Sequence, residues 1–235
     1  MNTKEYWNDI DSRLEELVKY GFVKLPSLKE YDLDRLSNQV SIEMGALTFK
    51  ESGTAHKNFL NNLNINEYLT PKLFNIAQNV FNYKGDSLNQ YHIARKVEPG
   101  NSKEMYRAHF DSHLFTMVIP VKIPESVEEN GSGGLIYFPN ARKMPSNEIN
   151  NFIGKAFHKK YASKEGLDKF SNAHEKKEES FMDYQPLLFI GNTTLHTNHA
   201  VLSSCSSYRL TFLAHFFDPS PKHGVGSLLR LIRNR

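Results

Sequence analysis

The segment Tyr106-Arg107-Ala108-His109-Phe110-Asp111-Ser112-His113 carries the most specific chemistry in this chain. Alternate side chains of a strand share one face, so His109 and Asp111 are expected to point the same way. An imidazole and a carboxylate on one face supply two adjacent ligands to a divalent metal. A lone His-x-Asp is common by chance, and this one gains weight from what lies downstream. The apolar run Leu187-Leu188-Phe189-Ile190 leads through Gly191-Asn192-Thr193-Thr194-Leu195 to two further histidines, His196 and His199. Ten residues beyond His199 comes Arg209, in Tyr208-Arg209-Leu210-Thr211-Phe212-Leu213, where alternation groups Arg209, Thr211 and Leu213. A buried arginine beside a metal needs an anionic partner, and its planar fork suits a carboxylate.

The elements that must hold these residues are short strands. From residue 87 the chain breaks into apolar runs at 90–97, 114–121, 135–138, 186–190 and 208–217, separated by Gly, Pro and Asn. Several short strands with turn signals between them predict a β-sandwich or barrel. Parallel α/β is disfavoured, because no regular helix separates them. Upstream, Ile10, Leu14, Leu17 and Val18 fall at helical spacing within 8–20, which Gly21 ends, and a strand-like run follows at 22–26. Further helices are expected at 32–44 and 71–81. The organisation predicted is one mainly-β domain: helical support over 1–86, a β core over 87–218 with a polar insertion at 140–183, and a tail at 219–235.

Composition bounds the chemistry. The 235 residues suit one domain, and 39% hydrophobic with 23% charged residues is a globular mix. A net charge of +3 is too small to argue for nucleic acid. One cysteine, Cys205, excludes an intrachain disulfide framework and any Cys-rich zinc or iron–sulfur site, whereas there are ten histidines. A bound metal must therefore be held by histidine and carboxylate. No targeting segment opens the sequence, and no run approaches the roughly 18 apolar residues of a membrane span, so a cytoplasmic location is expected.

Two histidines and one carboxylate on one face of an octahedral metal leave three positions open, as in non-haem Fe(II) oxygenases. His109-x-Asp111, a distal histidine and Arg209 together resemble the Fe(II)/2-oxoglutarate-dependent dioxygenase superfamily. Gly21-Phe22-Val23-Lys24-Leu25-Pro26 is similar to the opening strand of its phytanoyl-CoA-type members. Gly133-Gly134-Leu135-Ile136-Tyr137-Phe138-Pro139 is similar to the segment between ligand motifs in prolyl-hydroxylase-type members. His199-Ala200-Val201 running into Ser206-Ser207-Tyr208-Arg209-Leu210-Thr211-Phe212 resembles the C-terminal motif of aspartyl β-hydroxylases, which usually lack the carboxylate ligand that Asp111 offers here. The resemblance covers about 87–218 and points to the superfamily, not to one branch.

What the resemblance implies is a double-stranded β-helix (jelly-roll, cupin-like) with Fe(II) held by His109, Asp111 and His199. The 2-oxoglutarate would chelate iron through its 2-oxo acid end and pair its far carboxylate with Arg209, with Thr211 donating a hydrogen bond. With O2 as oxidant, the expected outcome is hydroxylation of a substrate C–H bond with release of succinate and CO2. Asp111 argues against the halogenating members, which carry a small residue there. Tyr91 is a candidate co-substrate contact. His196 competes for the distal position, but its interval to Arg209 would be thirteen residues, longer than usual, so His199 is preferred and His196 is placed at the pocket edge.

The remaining residues read more plainly. His92, His113 and His215 are expected to be structural, and Cys205 and Asn140, Asn192 and Asn198 to serve loops and turns. Ionic or surface roles outrank anionic-substrate binding for Arg95, Arg107 and Arg142. The insertion reads as a solvated helical segment ahead of a lid. The tail reads as a docked helix ahead of a membrane-surface contact or a homodimer contact. Two other classes compete: a non-catalytic β-helix binding module, and a cupin-like metalloenzyme without 2-oxoglutarate. Intact ligands disfavour the first. Arg209 disfavours the second, because it would then be a buried unpaired charge. The substrate, a small molecule or a protein side chain, is not specified by these residues.

Overall fold

The computed structural model describes residues 2–51, 53–102, 105–145 and 148–220. Its strands in chain order are β1 (Phe22–Lys24), β2 (Phe49–Glu51), β3 (Gln90–Val97), β4 (Phe115–Lys122), β5 (Leu135–Phe138), β6 (Lys177–Glu179), β7 (Leu187–Ile190), β8 (Leu195–Asn198) and β9 (Arg209–Phe216). They form a six-stranded sheet, β1-β7-β4-β9-β3-β2, and a three-stranded sheet, β6-β5-β8. Every pairing is antiparallel.

Alternation along β9 shows why the sheets sit as they do. Leu210, Phe212, Ala214 and Phe216 join Phe115, Met117 and Ile119 of β4 in a core shared with the N-terminal helices. Those helices are α1 (Thr3–Tyr6), α2 (Ile10–Tyr20), α3 (Leu33–Met44), α4 (Thr54–Asn62), α5 (Ile65–Tyr68) and α6 (Thr70–Phe81), with Leu14 and Leu17 coming from α2 and Leu73 and Ala77 from α6. Burial of each Leu or Phe stabilises by about 1.5–3 kcal/mol, so this layer anchors the large sheet. On the other face, Leu213, Val118, Leu187 and Phe189 meet Leu135 and Tyr137 of the small sheet. The two sheets therefore face one another across an apolar centre, the arrangement of a double-stranded β-helix.

The insertion departs from expectation. Its helices α7 (Glu148–His158) and α8 (Lys164–Ser171) are followed by β6, which becomes the third strand of the small sheet. Leu167 and Phe170 of α8 pack on Ile136, Phe138, Leu195 and Phe110. The segment thus covers the outer face of the small sheet. The strands β2, β6 and β8 and helix α4 (Thr54–Asn62) were not anticipated by the apolar pattern. The expectations for the tail fall on residues 221–235, which lie outside the described residues. Among the described residues no helix is long and apolar enough to cross a membrane.

Candidate metal centre

His109 and His196 are joined by a reciprocal pair of backbone hydrogen bonds, each N–H donating to the other's carbonyl at 3.0 Å. Asp111 is not in a strand, and its N–H donates to the carbonyl of Gly191 at 3.1 Å. These links bring one ligand atom each from His109, Asp111 and His196 within 4.8 Å of one another. His109 Nε2 lies 3.6 Å from Asp111 Oδ1, and His196 Nε2 lies 3.6 Å from Asp111 Oδ2. Both histidines have the far ring nitrogen engaged: Nδ1 of His109 is 2.8 Å from the carbonyl of Arg107, and Nδ1 of His196 is 3.2 Å from that of Thr194. A carbonyl can only accept, so Nδ1 carries the proton and each Nε2 keeps its lone pair for a metal.

The histidine that joins His109 and Asp111 is His196 and not His199, for a reason of parity. Leu195 packs on the outer face of the small sheet, so His196 points between the sheets. His199, three residues on, stands on the outer side with Glu178, its Nε2 3.5 Å from Glu178 Oε1. The structure does not bring His199 to His109 and Asp111.

The electrostatics suit a cation. Burial holds His196 neutral, lowering its pKa to about 4, and also lowers that of His215. Burial alone would raise the Asp111 carboxyl, but His196, His215 and His109 outweigh it and hold it well below the usual carboxylate range. Thr116 Oγ1 donates to Asp111 Oδ2 at 2.5 Å and lies 3.0 Å from His215 Nδ1.

A second feature lies farther along β9. Arg209 and Thr211 alternate with the core residues Leu210 and Phe212 and so face the space between the sheets. Arg209 is 2% exposed, and its Nε has no hydrogen-bond partner among the described residues. Burial, with Arg95 adding repulsion, lowers its pKa to about 9. A Cβ on Gly133, whose φ is +79°, would come within 2.9 Å of Arg209 Cδ. Tyr91, by contrast, pairs with His215 while Val97 pairs with Arg209, so it sits at the opposite end of the strand pair. Its ring lies parallel to His113 and His215, and its hydroxyl donates to Glu51. The structure does not bring Tyr91 to Arg209. Arg142 is held by the Asn192 carbonyl, Asn151 and the ring of Phe110.

Comparison with solved structures bears on the fold. A prolyl-4-hydroxylase from Pseudomonas putida superposes with a TM-score of 0.53 at 12% identity, covering 88% of this chain and 97% of that one. A prolyl hydroxylase from Trichoplax adhaerens, in complex with a peptide of the hypoxia inducible factor oxygen degradation domain, gives 0.54 at 13% identity over 92% and 91%. The fold is that of the Fe(II)/2-oxoglutarate oxygenases. The non-haem α-ketoglutarate-dependent epimerase SnoN of nogalamycin biosynthesis shares it too, with a TM-score of 0.51 at 10% identity over 93% and 88%. No family model and no curated protein matches the sequence. Of the residues singled out in the sequence, the structure brings His109, Asp111 and His196 together and buries Arg209 between the sheets. Thr116, His215 and Gly191, which lie against Asp111, carried no signal in the sequence, whereas the parity of β8 from Leu195 could have shown that His196 points between the sheets.

Proposed function

We propose that this protein is an Fe(II)- and 2-oxoglutarate-dependent oxygenase that hydroxylates a C–H bond of its substrate. The observation that carries the reading is the convergence of His109, Asp111 and His196 between the two sheets of this fold. His109 and His196 would hold the metal through Nε2, and Asp111 through a carboxylate oxygen. Bound Fe(II) would supply O2 activation coupled to conversion of 2-oxoglutarate to succinate and CO2. Arg209 fits the co-substrate because a buried guanidinium whose Nε has no partner among the described residues is costly until an anion reaches it. Thr211, two residues on along the same face of β9, would add a hydrogen bond. Substrate would arrive on the His109 side, since His109 exposes 49% of its side chain while Asp111 and His196 are buried.

Anaerobic addition of Fe(II) and 2-oxoglutarate should produce a visible charge-transfer band, and in air the protein should release succinate. Asp111→Ala and His196→Ala should abolish both signals while His199→Ala retains them. Loss of both signals in His199→Ala alone would return the distal role to His199. A folded wild-type protein that gives neither signal would remove the reading altogether.

A further inference from the structure

Resting on that metal reading, we propose that Thr116 is a positioning residue: with His215 behind it, it fixes the orientation in which the Asp111 carboxylate meets His109 and His196. The three ligands are not held alike. His109 and His196 are set by their shared backbone bridge and by Nδ1 contacts to carbonyls, none of which depends on another side chain. Asp111 lies outside the strands, and the Thr116 hydroxyl is the side-chain donor on its Oδ2.

The direction of this chain follows from donor chemistry. An ionised carboxylate can only accept, so the Thr116 proton goes to Asp111 Oδ2. The hydroxyl oxygen is then free to accept from His215 Nδ1 at 3.0 Å, which fixes that ring's tautomer. So held, the carboxylate sets Oδ1 3.6 Å from His109 Nε2 and Oδ2 3.6 Å from His196 Nε2, between the two imidazoles. Gly191 makes the approach sterically feasible. A Cβ there would stand 2.7 Å from Thr116 Oγ1 and 3.1 Å from Asp111 Cβ. Thr116 and His215 are directly paired across β4 and β9, so both are seated by the sheet.

The test uses Co(II) as a stand-in for Fe(II), with its dissociation constant read by equilibrium dialysis on metal-free full-length protein. Thr116→Val keeps the shape and removes the hydroxyl. It should bind Co(II) about 10–100-fold more weakly, the usual penalty for losing a group that orients a ligand, with its metal-free melting temperature little changed. Thr116→Ser should restore affinity to within a few-fold. Wild-type affinity in Thr116→Val overturns the proposal, and so does a Ser variant as weak as the Val one. If Thr116→Val does not fold, His215→Phe decides: several-fold weaker binding supports the chain, and wild-type binding overturns it. Asp111→Ala separates the two levels of inference. If it binds Co(II) as tightly as wild type, the metal reading itself fails; if only it weakens, the centre stands and Thr116 has no positioning role.

Discussion

Strand β9 presents two chemistries on one backbone. Toward the helices it sends Leu210, Phe212, Ala214 and Phe216, all fully buried among other apolar side chains. Toward the small sheet it sends Arg209, Thr211, Leu213 and His215, where the cation is as buried as Leu210 but lacks a partner on Nε among the described residues. The first face meets its needs within the fold. The second places a charge where folding alone would favour a hydrophobe. Among the described residues this buried requirement is unmet, which a ligand on the inner face would satisfy, and at the other end of the same face His215 reaches Asp111 through Thr116.

Substitutions on the two faces should therefore separate stability from binding. Phe212→Ala removes a ring stacked on His56 and packed against Phe59, and should cost about 3–5 kcal/mol in urea unfolding. A loss below about 1 kcal/mol would mean that the helix layer can collapse into the gap, and would break the contrast. Arg209→Met should do the reverse. The metal-free protein should be no less stable, while 2-oxoglutarate binding measured by calorimetry in the presence of Co(II) should weaken by about 2–5 kcal/mol. A clearly destabilised Arg209→Met would show that the fold does supply the arginine with a partner.

The same contrast explains what could be read from sequence. The core face of β9 and the strands β3, β4, β5 and β7 were legible because runs such as Phe-Thr-Met-Val-Ile and Leu-Leu-Phe-Ile state their environment. His109, Asp111 and Arg209 were legible because their types and spacing are informative before any fold is known. Strand β8, Leu-His-Thr-Asn, was not, because its extended state comes from pairing with β5 and from the His109 bridge. Nor was β6, Lys-Glu-Glu, which pairs with β5 and whose Glu179 meets Lys24 of β1. Thr116 could not be singled out, since its contacts are with Asp111, which lies outside the strands, and with His215 far along the chain.

A smaller effect probes the helix-side face by pH. His56 of α4 stacks on Phe212 with ring centroids 4.0 Å apart, and neither of its ring nitrogens has a hydrogen-bond partner among the described residues. Burial, reinforced by His92, lowers its pKa to about 3, and burial lowers that of His92 to about 4. The folded state thus keeps both rings neutral while the unfolded chain takes up protons near the ordinary value of about 6.5. Stability is complete above that pH and declines as pH falls toward the folded values, by about 1.4 kcal/mol per unit for each group. His56→Phe keeps a ring against Phe212 and removes one titrating group. Urea unfolding at pH 7, 6, 5 and 4.5 should show a shallower acid decline in the variant, by about that slope between pH 6 and 4.5. An unchanged slope would mean that His56 is protonated as easily in the fold as outside it, and that the helix-side face is wetter than its apolar lining implies.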